Sequence, residues 1–378
     1  MGVHESKNAP ARLPVEWIAR RIGDPVVRLR FLKRAAPALE FSDRAASPRR
    51  RPVFSLVFAL LAVAGSLALV LRSSATVPPP PPVVRIAPPL AGSTVQSNEI
   101  WQVEADPESE VYSNGLRLDR RFLISTHARR YVAFPADGGG GLRRSDPAGI
   151  VFHTTESRIV PFEARENSAL KKIGSSLLSY VRQKRAYHFL IDRFGRVYRV
   201  VAETDAANHA GYSVWADDRW RYINLNESFL GVSFETDTRK GQTEAEITPA
   251  QEHAAAMLTE MLRTRYRIPA ENCLTHGQVS VNPSNMRAGY HTDWSSGFPF
   301  ERLGLPDNYT RPLPALWAFG FEADPSYLES GGERIRAGVE GAEAMIQQKA
   351  ADAGMSVSAY RKSLQKAYRQ GLKAASGT

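Results

Sequence analysis

The chain has 378 residues, enough for one large domain or two small ones with attachments, and it carries 49 Lys and Arg against 39 Asp and Glu. Residues 1–52 hold 12 of the basic and 5 of the acidic side chains, so 7 of the 10 net positive charges lie there. The rest is close to balance, which argues against a nucleic-acid-binding domain.

Residues 1–52 are basic, with scattered Pro and Ala, and are expected to form short helices at most. Val53–Leu71 follows as 19 residues without a charge. At about 1.5 Å per residue such a helix spans the roughly 30 Å hydrocarbon core of a bilayer. Arg49, Arg50 and Arg51 precede it and only Arg72 follows directly. The positive-inside rule then predicts a single pass through the inner (cytoplasmic) membrane, with residues 1–52 as a cytoplasmic tail and everything later on the periplasmic, cell-wall side. Ser73-Ser74-Ala75 would suit a signal-peptide cut, but the leader and the apolar run are both long for one. Residues 72–98, with Val77 and five prolines after it, read as a Pro-rich linker rising about 3.1 Å per residue.

Globular character begins near Glu99 and continues to residue 312. Short strands are expected over 99–135, broken at Asp106-Pro107 and Asn114-Gly115, and Gly138–Gly141 is a loop. Ile150, Val151 and Phe152 form an apolar strand that ends on His153. Residues 167–184 place Leu170, Ile173, Leu177 and Val181 at helical spacing. A hairpin is predicted from 187–191 and 197–201, then a strand over 229–235. Thr248, Pro249 and Gln251 spell an N-cap, a first-turn proline and a capping box for a helix ending near Tyr266. The chain returns through Cys273–Thr275 to His276. Strands separated by helices give an α/β class with a central sheet covered by helices. Residues 313–378 form a helical C-terminal extension. One stripe there is Ile335, Val339, Ala342 and Ile346; another is Val357, Tyr360, Leu364 and Tyr368, with Arg361, Lys362, Lys366 and Arg369 around it.

Of the 8 histidines, His153, His188, His209, His276 and His291 sit at strand ends or in loops, where sites are assembled. Asp293 adds a carboxylate one residue beyond Thr292. Cys273 is the single cysteine, so no intrachain disulfide exists. On one short strand its odd offset from His276 would point the two to opposite faces, leaving Cys273 a small buried hydrophobe.

In order, the chain reads His153 after an apolar strand, YHFLIDRFGRVYRV from Tyr187, NHAG around His209, FLGVSFE from Phe229, TPAQ with its helix, LTHG through His276, and HTD before FPFERL. This order resembles the zinc-dependent N-acetylmuramoyl-L-alanine amidases, the group that includes phage-lysozyme-type amidases and peptidoglycan recognition proteins. The resemblance covers residues 148–305 and implies a mixed β-sheet flanked by helices. It matches His153, His276 and Asp293 to the family's Zn2+ ligands, Tyr187 to an assisting tyrosine, and His209 to a substrate-side histidine; Thr154 is taken with His209 as substrate-facing. Three N/O ligands with one open position suit a catalytic zinc, whereas a closed structural site commonly needs cysteines that this chain lacks.

Glu235 is a tempting alternative to Tyr187. The family's glutamate, however, lies two residues after the strand glycine, and here Gly231 leads to Ser233 at that position. The familiar Lys-x-Asp-Pro-Gly ending is replaced by His291-Thr292-Asp293-Trp294-Ser295, and the loop from His276 to Asp293 is longer than usual. His291 either supports an oxyanion, protonated or as an N–H donor, or displaces Asp293 as third ligand. The implied activity is hydrolysis of the amide between N-acetylmuramic acid and L-alanine, with peptidoglycan or muropeptides as partners and no nucleic acid. The alternative is a non-catalytic peptidoglycan-binding module of the same fold.

Overall fold

The computed structural model describes residues 85–86, 99–238 and 247–376. The expected cytoplasmic tail and the membrane span Val53–Leu71 lie outside the described residues, as does the linker except for the short strand Arg85–Ile86. Among the described residues no helix is long and apolar enough to cross a membrane.

The site is organised by an eight-stranded mixed sheet. In chain order its strands are β1 Gln102–Ala105, β2 Ser109–Tyr112, β3 Arg117–Asp119, β4 Gly149–Thr154, β5 Phe189–Ile191, β6 Val197–Arg199, β7 Phe229–Phe234 and β8 Cys273–Thr275. Across the sheet they run β8-β4-β7-β5-β6-β3-β2-β1. The four strands β8, β4, β7 and β5 are mutually parallel. Parallel strands are covered on both faces, and every residue of β4 and β7 is buried accordingly. A second sheet holds Leu142–Arg144, Tyr131–Pro135, Trp220–Ile223 and Val214–Ala216, with Arg85–Ile86 on its edge.

Helix α1, Asn167–Lys184, covers one face of the main sheet by placing Leu178 and Val181 against Leu190, Tyr198 and Val200. Helix α2, Pro249–Tyr266, covers the other. Its capping box is formed, with Thr248 Oγ1 accepting from Gln251 N–H and Gln251 Oε1 accepting from Thr248 N–H. Ala254, Leu258, Met261 and Leu262 join Ile150, Phe152, Leu230, Val232 and Phe234 in the main core. Each fully buried Leu or Met of this kind stabilises the fold by about 1.5–3 kcal/mol. A one-turn helix, α3 His276–Val279, follows β8 directly. The C-terminal helices α4, Gly332–Asp352, and α5, Val357–Ser376, are present where expected. Ile335, Val339, Ala342 and Ile346 of α4 and Tyr368 of α5 pack into the same core.

Two local expectations are corrected. The hairpin strand begins at Phe189, because Tyr187 adopts φ 56° and cannot extend β5. His276 does not share a strand with Cys273; it opens the turn of α3. Cys273 is nonetheless a buried small hydrophobe, and burial pushes its thiol up to about 12.

Candidate metal centre

His153 is delivered by β4, whose apolar residues lock it between β8 and β7 in a register that sets Ser233 opposite it. His276 arrives one residue after the neighbouring strand β8 ends. Its position is set by a turn in which Gln278 Oε1 accepts from Thr275 N–H at 2.9 Å and Gln278 Nε2 donates to the Asn308 carbonyl at 2.9 Å. Asp293 is carried by a loop that lies directly on α3. Gly277 N–H donates to the Asp293 carbonyl at 2.9 Å, and a Cβ on Gly277 would sit 2.6 Å from Ser295 Cα. Only a residue without a side chain permits that approach. The next residue, Trp294, is held at φ 56° with its ring buried against Phe234 and Phe298. A large buried anchor thus keeps the preceding carboxylate in place.

These elements bring three groups to one point. Ligand-capable atoms of His153, His276 and Asp293 all lie within 4.8 Å of one another. Asp293 Oδ1 is 2.8 Å from His276 Nδ1, and Asp293 Oδ2 is 3.2 Å from His153 Nδ1. The other ring nitrogen of His276, Nε2, is buried with no hydrogen-bond partner. Burial, with His276 beside it, pushes His153 down to about 4, so its imidazole is neutral near pH 7. Burial alone would raise Asp293, but the adjoining His276 and His153 rings, His276 first, hold it well below the usual carboxylate range. A neutral imidazole and an ionised carboxylate are the forms that bind a cation.

Tyr187 is half-buried, with its ring centroid 5.0 Å from that of His153. It lies beyond the left-handed cap Arg185 of α1 and itself has φ 56°, a conformation costing about 1–3 kcal/mol for a bulky residue. Burial, reinforced by the Asp293 charge, keeps its phenol protonated far above neutral pH. Ser233, opposite His153 in the neighbouring strand, is buried and its side chain meets that of Tyr187. Glu235 is two residues further along β7, where its carboxylate accepts from Arg193 N–H at 3.2 Å instead of joining the three groups.

His291 does not join them either. Its ring stacks on His276 at a centroid distance of 4.7 Å and an interplanar angle of 25°, and its backbone N–H donates to Ser280 Oγ at 2.9 Å. Burial and the neighbouring His276 lower its pKa, which favours the neutral ring over the imidazolium. Thr154 and His209, the two residues expected to face substrate, are held by hydrogen bonds within the protein. Thr154 follows His153 in β4 and therefore points to the opposite side. It is 2% exposed, and its hydroxyl donates to Glu156 Oε1 at 2.5 Å and pairs with Thr238 Oγ1 at 3.1 Å. His209 is half-buried and both its ring nitrogens are occupied, Nδ1 by His153 Nε2 at 3.1 Å and Nε2 by the Phe229 carbonyl at 3.1 Å.

Behind the histidines lie His188, expected from its strand alternation with Tyr187 to be structural, and a buried arginine that sequence reasoning missed. His188 is fully buried and accepts Gly231 N–H on Nδ1 at 2.9 Å. Arg129, 1% exposed, donates to the carbonyls of Glu203, Glu227, Phe229 and Asp205 at 2.8–3.2 Å. Nothing local marks Arg129 as buried, since Arg130 beside it is exposed. The carbonyls it reaches lie 74 to 100 residues away.

Comparison with known proteins places this centre in context. Residues 143–293 match the family described as N-acetylmuramoyl-L-alanine amidase. Among solved structures, AmpDh3 from Pseudomonas aeruginosa in complex with anhydromuramic pentapeptide is 21% identical, with 42% of this chain and 58% of that chain covered at a TM-score of 0.31. AmiD from E. coli, in complex with anhydro-N-acetylmuramic acid-L-Ala-D-gamma-Glu-L-Lys, is 20% identical, covering 64% of this chain and 98% of that chain at 0.34. The Drosophila peptidoglycan recognition protein SD is 16% identical, covering 44% and 86% at 0.29. No curated protein matches the chain.

Proposed function

We propose, from the match of residues 143–293 to the family described as N-acetylmuramoyl-L-alanine amidase, that this chain is a zinc hydrolase cleaving the amide between N-acetylmuramic acid and L-alanine of peptidoglycan. The observation that carries the reading is the convergence of His153, His276 and Asp293 at the ends of two neighbouring parallel strands. The donor set suits zinc: two imidazoles and a carboxylate, with no fourth protein ligand among the described residues to close the site. The Asp293 carboxylate, with one oxygen 2.8 Å from His276 Nδ1 and the other 3.2 Å from His153 Nδ1, is placed to share a cation with both rings. When bound, zinc supplies Lewis-acid polarisation of a carbonyl and acidifies water, bringing its pKa to about 7.

The chain's own residues do the remainder. Tyr187, beside His153 and kept protonated by burial, donates its phenolic hydrogen toward the attacked carbonyl oxygen or orients the attacking water. Neutral His291, stacked over His276, offers one N–H near the leaving amine. The apolar segment Val53–Leu71, on composition alone, supports an inner-membrane anchor with this domain on the wall side. A second reading, a peptidoglycan-binding module without hydrolysis, draws on the replacement of the family's lysine by His291.

Zinc content of the purified chain tests the site. We expect one zinc per wild-type chain and none in His153→Ala, together with loss of muropeptide cleavage. Cleavage that survives in the zinc-free variant contradicts the proposal. One zinc without any cleavage favours the binding module.

A further inference from the structure

We infer that His209 is a positioning residue that fixes the tautomer and ring orientation of His153, so that Nδ1 of His153 is the atom presented to the metal. The inference rests on the reading of His153 as a ligand. It follows from a chain of hydrogen bonds whose direction is set at its far end. A carbonyl only accepts, so His209 Nε2, 3.1 Å from the Phe229 carbonyl, carries the hydrogen. A neutral His209 then has a lone pair on Nδ1. His153 Nε2 lies 3.1 Å from that lone pair and must donate to it. The remaining nitrogen of His153, Nδ1, is left with its lone pair 3.2 Å from Asp293 Oδ2. Two acceptors face each other at that distance, an arrangement satisfied by a cation between them.

The far end has little freedom to rearrange. The same Phe229 carbonyl accepts from buried Arg129 at 3.2 Å. Asn226 Oδ1 accepts the backbone N–H groups of His209, Ala210 and Gly211 at 2.8, 2.7 and 2.9 Å, clamping the turn that carries the ring. The ring itself lies flat on the strand at Gly231, where an added Cβ would be 2.6 Å from His209 Cγ. Both faces of the problem, which nitrogen holds the hydrogen and where the ring points, are thereby decided before a metal arrives. Such outer partners of a ligand histidine set metal affinity by about 10–100-fold.

The test compares zinc dissociation constants, by chelator competition, for wild type, His209→Leu and His209→Asn. The Asn side chain keeps an acceptor oxygen near the position of Nδ1; Leu keeps none. His209→Leu is expected to bind zinc about 10–100-fold more weakly, and His209→Asn close to wild type. Histidine ring nitrogen NMR of the zinc-loaded wild type supplies a readout that needs no variant to fold: His153 should show a protonated Nε2 and a metal-bound Nδ1. Wild-type affinity in His209→Leu, equal weakening in both variants, or metal on His153 Nε2 each overturns the inference. A wild-type chain that binds no zinc overturns the reading of the site itself, which separates the two failures.

Discussion

Replacing Gly231 by Ala is the perturbation that most sharply probes how β7 serves the site. The new Cβ would lie 2.6 Å from His209 Cγ, 2.8 Å from its Cβ and 3.0 Å from its Nδ1. Ordinary carbon contacts begin near 3.5 Å, so the ring must retreat by about 1 Å. The 3.1 Å hydrogen bond between His209 and His153 then lengthens to about 4 Å, beyond any hydrogen bond. Two losses follow. Overpacking costs about 1–3 kcal/mol, less the roughly 0.5–1 kcal/mol that Ala gains over Gly in a strand. Zinc affinity falls by about 10–100-fold as His153 loses its outer partner. Thermal melting of the metal-free protein reads the first and chelator competition the second. A variant that melts and binds zinc like wild type refutes the reasoning, because the contact distances leave no room for the methyl group otherwise.

Three further outcomes are expected. Tyr187→Phe should lower kcat by about 10²–10³-fold with KM little changed, the pattern of a donor used mainly in the transition state; steady-state kinetics on a soluble muropeptide checks it. Arg129→Met removes a donor from four buried or part-buried carbonyls, leaving those of Glu203 and Glu227 without the guanidinium, and should destabilise the domain by about 3–5 kcal/mol in denaturant titration. The third concerns pH. Burial lowers the pKa of His153 to about 4 and those of His188 and His209 well below their ordinary value, so the unfolded chain binds protons that the folded chain does not. Stability is therefore present above about pH 6.5 and is lost as pH falls below it, by about 1.4 kcal/mol per pH unit for each histidine. In metal-free protein, His188→Gln should flatten that slope by about one histidine's share.

Position alone narrowed the candidates to five histidines at strand ends or in loops and to Asp293, and the resemblance to the amidase family singled out His153, His276 and Asp293 among them. The capping box at Thr248 was equally plain, since its signal is local. Adjacent residues in one strand face opposite sides, so the strand reading already set Thr154 and His153 apart. The roles of Arg129, Asn226 and His209 were not legible. Each depends on a backbone group brought close by folding, such as the Phe229 carbonyl shared by Arg129 and His209. Tyr187 was assigned to a strand because its neighbours have strand propensity, yet the close of α1 throws it into a left-handed conformation beside His153.

The most direct measurement is the product released from purified sacculi by the zinc-loaded full chain. The account predicts free stem peptides bearing a new L-alanine amino terminus, and intact glycan strands, with the release absent in His153→Ala. Sacculi that bind the protein but yield no such amino terminus would contradict it.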